Sequence, residues 1–185
     1  YIFIDTAGLR RKNKIKEALE RYSIIRTVTA VERADVVVLM IDAEEGVTEQ
    51  DAKIAGIAHD RGKGIVIAVN KWDAIEKDDK TIYKFTNKVR EVLSFMPYAE
   101  IMFISAKTGQ RIPRLFETID MVLENQTLRI QTGVLNEIIT EAVAMQQPPS
   151  DKGKRLKIFY ATQVSVKPPT FVIFVNSKEL MHFSY

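Results

Sequence analysis

The stretch Ile65-Val66-Ile67-Ala68-Val69-Asn70-Lys71-Trp72-Asp73 decides how this chain is read. Its first five residues are apolar at every position and mostly β-branched. A strand apolar on both faces is a strand covered on both faces, as in a parallel sheet between helices. It runs straight into a polar cluster. Tyr1–Ile4, Val36–Ile41 and Ile101–Ile104 have the same character, and two of them end alike, in Asp5-Thr6-Ala7-Gly8 and Ser105-Ala106-Lys107. All four therefore read as buried parallel strands.

Helical patterns lie between them. Ile15, Leu19, Tyr22, Ile25 and Val28 form one apolar stripe. Thr48 followed by Asp51 resembles a capping box opening a second helix, and Gly62 can close it. Residues 79–95 make a third, and residues 111–125, with Pro113 near the start, a fourth. Alternation of strand and helix predicts a doubly wound α/β sheet, whose ligands bind at the carboxyl ends of the strands. The three polar clusters then share one rim.

After Asn125 the pattern changes. Residues 126–132 are polar and read as a linker. Val134, Leu135, Ile138, Ile139 and Ala142 stripe a helix that stops before Pro148-Pro149. A basic loop, Lys152 to Arg155, leads to strands 156–166 and 171–175, joined as a hairpin through Lys167-Pro168-Pro169. Ser177 should cap a further helix, which makes the order α-β-β-α, with one more strand needed to cover the sheet edge.

Composition excludes several classes. The chain of 185 residues is 46% apolar and 28% charged, as in soluble globular proteins. Its longest apolar run, Val36–Ile41, is too short to span a bilayer. With no cysteine it has neither disulfides nor thiolate metal sites, which suits a cytoplasmic protein. A net charge of +3 is a weak pointer to anionic partners.

The chemistry rests on the clusters. Guanine presents two donors side by side, its ring N–H and its amine, and one carboxylate can accept both. Adenine offers an acceptor and a donor on those edges, so the same carboxylate rejects it. Asp73 is the candidate for this role. Asn70 would tie loops together, and Lys71 can lay its methylene stem along the ring. The Ala106 backbone N–H can donate to the guanine carbonyl, with Ser105 and Lys107 shaping that loop, while Trp72 packs beside the base loop. Asp5 suits a Mg²⁺ ion held through water near a triphosphate, and Gly8 offers an unobstructed N–H to a γ-phosphate. Arg10, Arg11, Lys12, Lys14 and Lys16 follow, as a loop that either contacts RNA or is merely solvated. His59 and His182 read as surface or packing residues. Phe159, Tyr160, Phe171 and Phe174 read as sheet core rather than as an RNA stacking platform.

DTAG (5–8), NKWD (70–73) and SAK (105–107), in this order at strand ends, are similar to three signature motifs of the Ras-like translation-factor GTPases. GLRRKNKI (8–15), EQDAKIAGIAHDRGK (49–63), VNKWDAIEKD (69–78) and the tail from Arg155, with its proline hairpin and ELMHFSY, resemble the Der (EngA) GTPases over essentially the whole chain. The resemblance implies the second of two G domains over residues 1–126, from the DTAG strand onward, of Ras-like doubly wound P-loop GTPase fold. An α+β KH-like domain, also partial, would follow over 127–185. It implies GTP hydrolysis in ribosome biogenesis, on the large (50S) subunit, with rRNA and the first G domain of the same chain as partners. It implies a guanine-nucleotide site of Asp5, Thr6, Ala7, Gly8, Leu9, Asn70, Lys71, Trp72, Asp73, Ser105, Ala106 and Lys107. Mg²⁺ is the implied cofactor, joined by K⁺, because Leu9 stands where Ras-like enzymes carry the glutamine that orients water.

The family's P-loop, G-x-x-x-x-G-K-[ST], lies upstream of DTAG, and no such pattern occurs in these residues. By themselves they are expected to hold guanine without cradling phosphates, hence without turnover. No two glycines are three apart, so the KH-like part lacks the GXXG grip on RNA. Two alternatives stand beside this reading: a nucleotide-incompetent fragment that docks on RNA or protein, and a related GTPase serving tRNA modification.

Overall fold

The computed structural model describes residues 1–6, 17–148, 150–151 and 153–181, with residues 17–24 and 151 described by their backbone alone. The expectations placed on Ala7, Gly8, Leu9, the basic segment 10–16, Lys152 and His182 lie outside these residues. The chain forms two units, Tyr1–Asn125 and Gln126–Tyr185.

The first unit is built on three parallel strands, β1 (Val36–Asp42), β2 (Gly64–Asn70) and β3 (Glu100–Phe103), in the order β1-β2-β3. Four helices accompany them: α1 (Glu17–Arg33), α2 (Glu49–Asp60), α3 (Thr81–Val92) and α4 (Ile112–Thr127). β2 is buried from Gly64 to Val69 and shows why an unbroken apolar run was needed. Ile65, Ile67 and Val69 enter one cluster with Ala55 and Ala58 of α2 and Val89 of α3. Val66 and Ala68 enter the other, with Leu115 and Ile119 of α4. Alternate side chains thus feed opposite layers of the doubly wound sheet.

The helix boundaries follow local chemistry. Thr48 Oγ1 accepts from Asp51 N at 3.2 Å, and Asp51 Oδ2 accepts from Thr48 N at 2.8 Å, which completes the capping box of α2. Gly62 closes that helix with φ of 62°, a region glycine enters without steric cost. Thr48→Ala should cost about 1 kcal/mol of stability, the usual loss for an N-cap hydroxyl, read by urea unfolding. An unchanged midpoint would remove the cap from the account. Beyond Gly62, Lys63 Nζ donates to Glu32 O at 2.7 Å and to Ala34 O at 2.9 Å. Arg61 Nε meets Glu32 Oε1 at 3.1 Å, so the loop before β2 grips the carboxyl end of α1.

α3 starts at Thr81, two residues later than the pattern suggests, because Asp78 gathers the preceding turn. Its carboxylate accepts from Thr81 Oγ1 at 2.6 Å, Lys80 N at 3.0 Å and Lys84 Nζ at 3.1 Å. Those bonds, Thr81's first and Lys84's next, hold its pKa down at about 2. A depressed carboxylate adds stability that is present above its unfolded pKa of ~3.9 and fades as pH falls toward the folded value. An NMR titration should place the Asp78 midpoint near the lower value, and Thr81→Ala should move it upward. A midpoint at the ordinary carboxylate value would contradict the geometry.

Two expectations fail in this unit. Tyr1–Ile4 is neither a strand nor buried, and Ile2 is 94% exposed. Four residues gain little from an extended conformation without a neighbouring strand to take their backbone hydrogen bonds. Instead the rings of Tyr1 and Phe3 stand 5.0 and 5.8 Å from Phe116, edge-on. Among residues 25–33 of α1, Ile25 is exposed and the buried positions are Thr27 and Val31. Those two are one turn apart and share a face; at ~100° per residue Val28 lies at its edge and Ile25 nearly opposite it.

In the second unit, α5 (Thr132–Met145) is followed by the short pair β4 (Ser150–Asp151) and β5 (Lys154–Arg155), then by the hairpin β6 (Ile158–Ser165) and β7 (Thr170–Val175). The expected basic loop is thus partly a strand, and the polar stretch 126–132 is irregular only over 128–131. Asn136 of α5 donates to Ala161 O at 2.9 Å and accepts from Ala161 N at 2.8 Å, so one side chain replaces a ladder partner for β6. Buried Gln163 does the same for the segment before α5, with Leu128 O at 3.0 Å and Ile130 N at 2.7 Å. Ser177 opens only a 3₁₀ turn, Lys178–Leu180, and makes no side-chain cap bond. The aromatic residues read as core are exposed, from 40% at Phe171 to 65% at Phe159. Among the described residues nothing covers that face of the hairpin beyond α5. Tyr160 and Phe174 stack on each other instead, 4.2 Å apart. Among the described residues no helix is long and apolar enough to cross a membrane.

Candidate functional site

The carboxyl ends of β2 and β3 come together as one surface. Asn70 ends β2, accepts from Ala106 N through Oδ1 at 2.9 Å, and so ties the two loops. Its carbonyl accepts from Ala43 N at 2.9 Å, which joins the loop after β1 as well. The backbone turns at Lys71, in the left-handed region with φ of 61°. Trp72 then plunges inward, 2% exposed, between the rings of Phe103 at 4.4 Å and Phe85 at 5.3 Å. Its N–H donates to Ile104 O at 3.0 Å and its carbonyl accepts from Lys77 Nζ at 2.6 Å. With Trp72 buried, Asp73 is left on the surface.

Ser105 supplies the rigid side of the site. It is wholly buried, donates its N–H to Gln110 O at 3.1 Å and accepts from Thr108 N at 3.1 Å. A hydrogen bond from the Ser105 side chain is the main cause holding the Asp73 carboxyl below the ordinary range, with the charges of Lys107 and Lys77 adding to it. As an exposed carboxylate Asp73 is ionised at neutral pH, a double acceptor of the kind needed to take two neighbouring N–H donors.

Two groups of the site carry bonds that the sequence reading did not include. The Ala106 N–H, assigned to a guanine carbonyl, is given to Asn70, so a base carbonyl would have to share or displace that bond. Lys71 does not stand free: its Nζ lies 2.7 Å from Asp42 Oδ2 and 2.9 Å from Glu44 Oε2. Asp42 and Glu44 were not picked out from the sequence. A signal did exist, since the apolar run Val36–Ile41 ends in an acid as the other strands end in polar residues.

Asp5 and Thr6 are exposed and irregular. Among the described residues no group of three His, Cys, Asp or Glu side chains could hold a metal ion. Mg²⁺ keeps most of its waters and is usually held by one or two carboxylates together with substrate phosphates, so no such cluster is required and the exposed carboxylate of Asp5 is of the type that could hold it through water.

Comparison with known proteins agrees with the strand-end geometry. The family described as the elongation factor Tu GTP binding domain matches residues 22–125. The chain belongs to this family. Residues 129–185 match a second family, the KH-domain-like C-terminal domain of EngA bacterial GTPase enzymes. The fold is therefore a P-loop GTPase α/β domain followed by a KH-like domain. Along all 185 residues the chain is 79% identical to GTPase Der of Lachnoclostridium phytofermentans and 60% identical to GTPase Der of Thermoanaerobacter sp.. The resemblance to the Der (EngA) GTPases thus holds over the whole chain, which spans 42% of the length of each of these relatives. Among solved structures, Era bound to MgGDPNP and a segment of 16S ribosomal RNA aligns over 92% of this chain and 59% of its own, with TM-score 0.55 and 23% identity. A probable GTP-binding protein, engB, aligns over 65% of this chain and 75% of its own, with TM-score 0.54 and 21% identity. At such identities these two speak for the fold alone.

Proposed function

We propose that the protein binds and hydrolyses GTP and acts in ribosome assembly, on the large (50S) subunit, in the cytoplasm. The observation that carries this is the place of Asp73, an exposed carboxylate beside Ser105 and the Asn70–Ala106 bond at the carboxyl rim of a parallel sheet. The likeness to GTPase Der along the whole chain supports it. In this reading residues 1–126 are the second G domain and 127–185 the KH-like domain. Asp73 takes the two guanine donors, Asn70 locks the base loops, Lys71 walls the ring, and Ser105, Ala106 and Lys107 shape the far side. Trp72 anchors the turn from within. Asp5 would hold Mg²⁺ through water, with Thr6, Ala7, Gly8 and Leu9 at the γ-phosphate and K⁺ serving where Leu9 cannot orient water. The bound ion would supply charge neutralisation at the phosphates.

The test uses the full-length protein. Titration with GTP, GDP and ATP should give a guanine preference of ~10²-fold or more, since a site built on paired hydrogen bonds rejects the wrong base strongly. Equal affinity for ATP would defeat the reading. Co-sedimentation with large subunits should weaken as salt rises if phosphate contacts contribute. Charge reversal at Arg10, Arg11 and Lys12 should weaken it further, and sedimentation equal to wild type would make that segment a solvated loop.

A further inference from the structure

The register sets Asp42, the last residue of β1, beside Asn70, the last residue of β2. Lys71 comes next, and its ammonium is not sent outward. It reaches Asp42 Oδ2 at 2.7 Å and Glu44 Oε2 at 2.9 Å, so its four-carbon stem is drawn back across the strand ends. The Asp42 side chain is only 7% exposed, where an ionised carboxylate needs partners. Its other oxygen, Oδ1, accepts from Glu44 N at 3.0 Å and fixes the carboxylate plane. These bonds, from Asp42 first and Glu44 second, push the Lys71 pKa up to about 12, so the ammonium stays charged.

The backbone adds a second observation. Lys71 carries a Cβ in the left-handed region, which persists only where its surroundings fix it. Asn70 is pinned on one side by Ala43 N and Ala106 N, and Trp72 on the other by Ile104 O. The side chain of Lys71 is the remaining freedom of the turn, and Asp42 takes it away. A lysine neutralised by two carboxylates also offers little free charge to a phosphate, which leaves its stem as the useful part.

We propose that Asp42 is a positioning residue for base recognition: by anchoring the Lys71 ammonium across the strand ends, it holds the 70–73 turn in the shape that presents Asp73 to a guanine base. This rests on the reading of that turn as the guanine loop.

The experiment measures dissociation of a fluorescent guanine nucleotide from the full-length protein. Asp42→Asn keeps the shape and the bond to Glu44 N but removes the charge. It should speed dissociation about tenfold, the worth of a charge-assisted hydrogen bond, and leave the preference for guanine over xanthine intact. In a Lys71→Met background the same substitution should change the rate less than twofold, because its effect passes through the lysine. Unchanged dissociation overturns the proposal, as does a tenfold effect that persists without Lys71. Should Asp42→Asn not fold, exposed Glu44→Gln gives the same reading at about threefold, and must likewise vanish with Lys71→Met. A wild-type protein with no guanine preference would instead sink the functional reading, and a guanine-selective protein indifferent to Asp42→Asn sinks only this one.

Discussion

Replacing Trp72 by alanine is expected to destabilise the first unit by about 3–5 kcal/mol, the usual range for a large aromatic residue removed from a core. The side chain is 2% exposed and meets Phe85 and Phe103. The void would open at the base of the turn that carries Asp73. Nucleotide affinity should therefore fall along with stability, even though the indole is shielded from solvent. Trp72 is the single tryptophan, so circular dichroism rather than fluorescence should follow urea unfolding of the variant. Trp72→Phe should recover part of the loss by restoring aromatic contact. A change under 1 kcal/mol for the alanine variant would mean that the ring cluster is not a structural centre.

Asp73→Asn should exchange one base for another. The substitution turns one of two acceptors into a donor, facing guanine's amine with an N–H. Affinity of the full-length protein for GTP should drop by roughly 10²-fold. Xanthine carries a carbonyl where guanine has its amine, so the asparagine amide can donate to it, and xanthosine triphosphate should bind the variant better than wild type. Competition titrations with both nucleotides measure this directly. An unaltered preference for guanine would take Asp73 out of base recognition and leave its ionised state as a surface property.

The parallel core was readable because Ile65–Val69 had to satisfy two layers at once, and a β-branched run apolar at consecutive positions suits a strand covered on both faces. Thr48 and Asp51 were readable because a capping box is local: both partners lie within one turn. Tyr1–Ile4 misled for the opposite reason. Its apolar character is real, yet being a strand depends on a neighbour elsewhere in the chain. The aromatic residues of β6 and β7 misled in the same way, since alternation reveals faces but not whether anything covers them. At the site, Asn70, Asp73 and Ser105 follow apolar runs that end abruptly. The Asp42–Lys71 contact could not be read, because it needs the register of β1 on β2 and the left-handed turn at Lys71. Neither is written in local spacing.

The grip of Lys63 and Arg61 on Glu32 and Ala34 has a mechanical consequence for α1. With the carbonyls of Glu32 and Ala34 fastened, sliding of this 17-residue helix is resisted, and any motion of it is expected to be a swing, as a lever whose fulcrum lies at its carboxyl end. A helix of this length is ~25 Å long, so a tilt of ~10° would carry its amino-terminal end ~4 Å while the fulcrum stays still. Amide exchange in the full-length protein should show this as a gradient, slow near Ala34 and faster toward Glu17. Lys63→Met should flatten the gradient by freeing the pivot, and uniform exchange along α1 in the unaltered protein would mean that the helix has no fulcrum there.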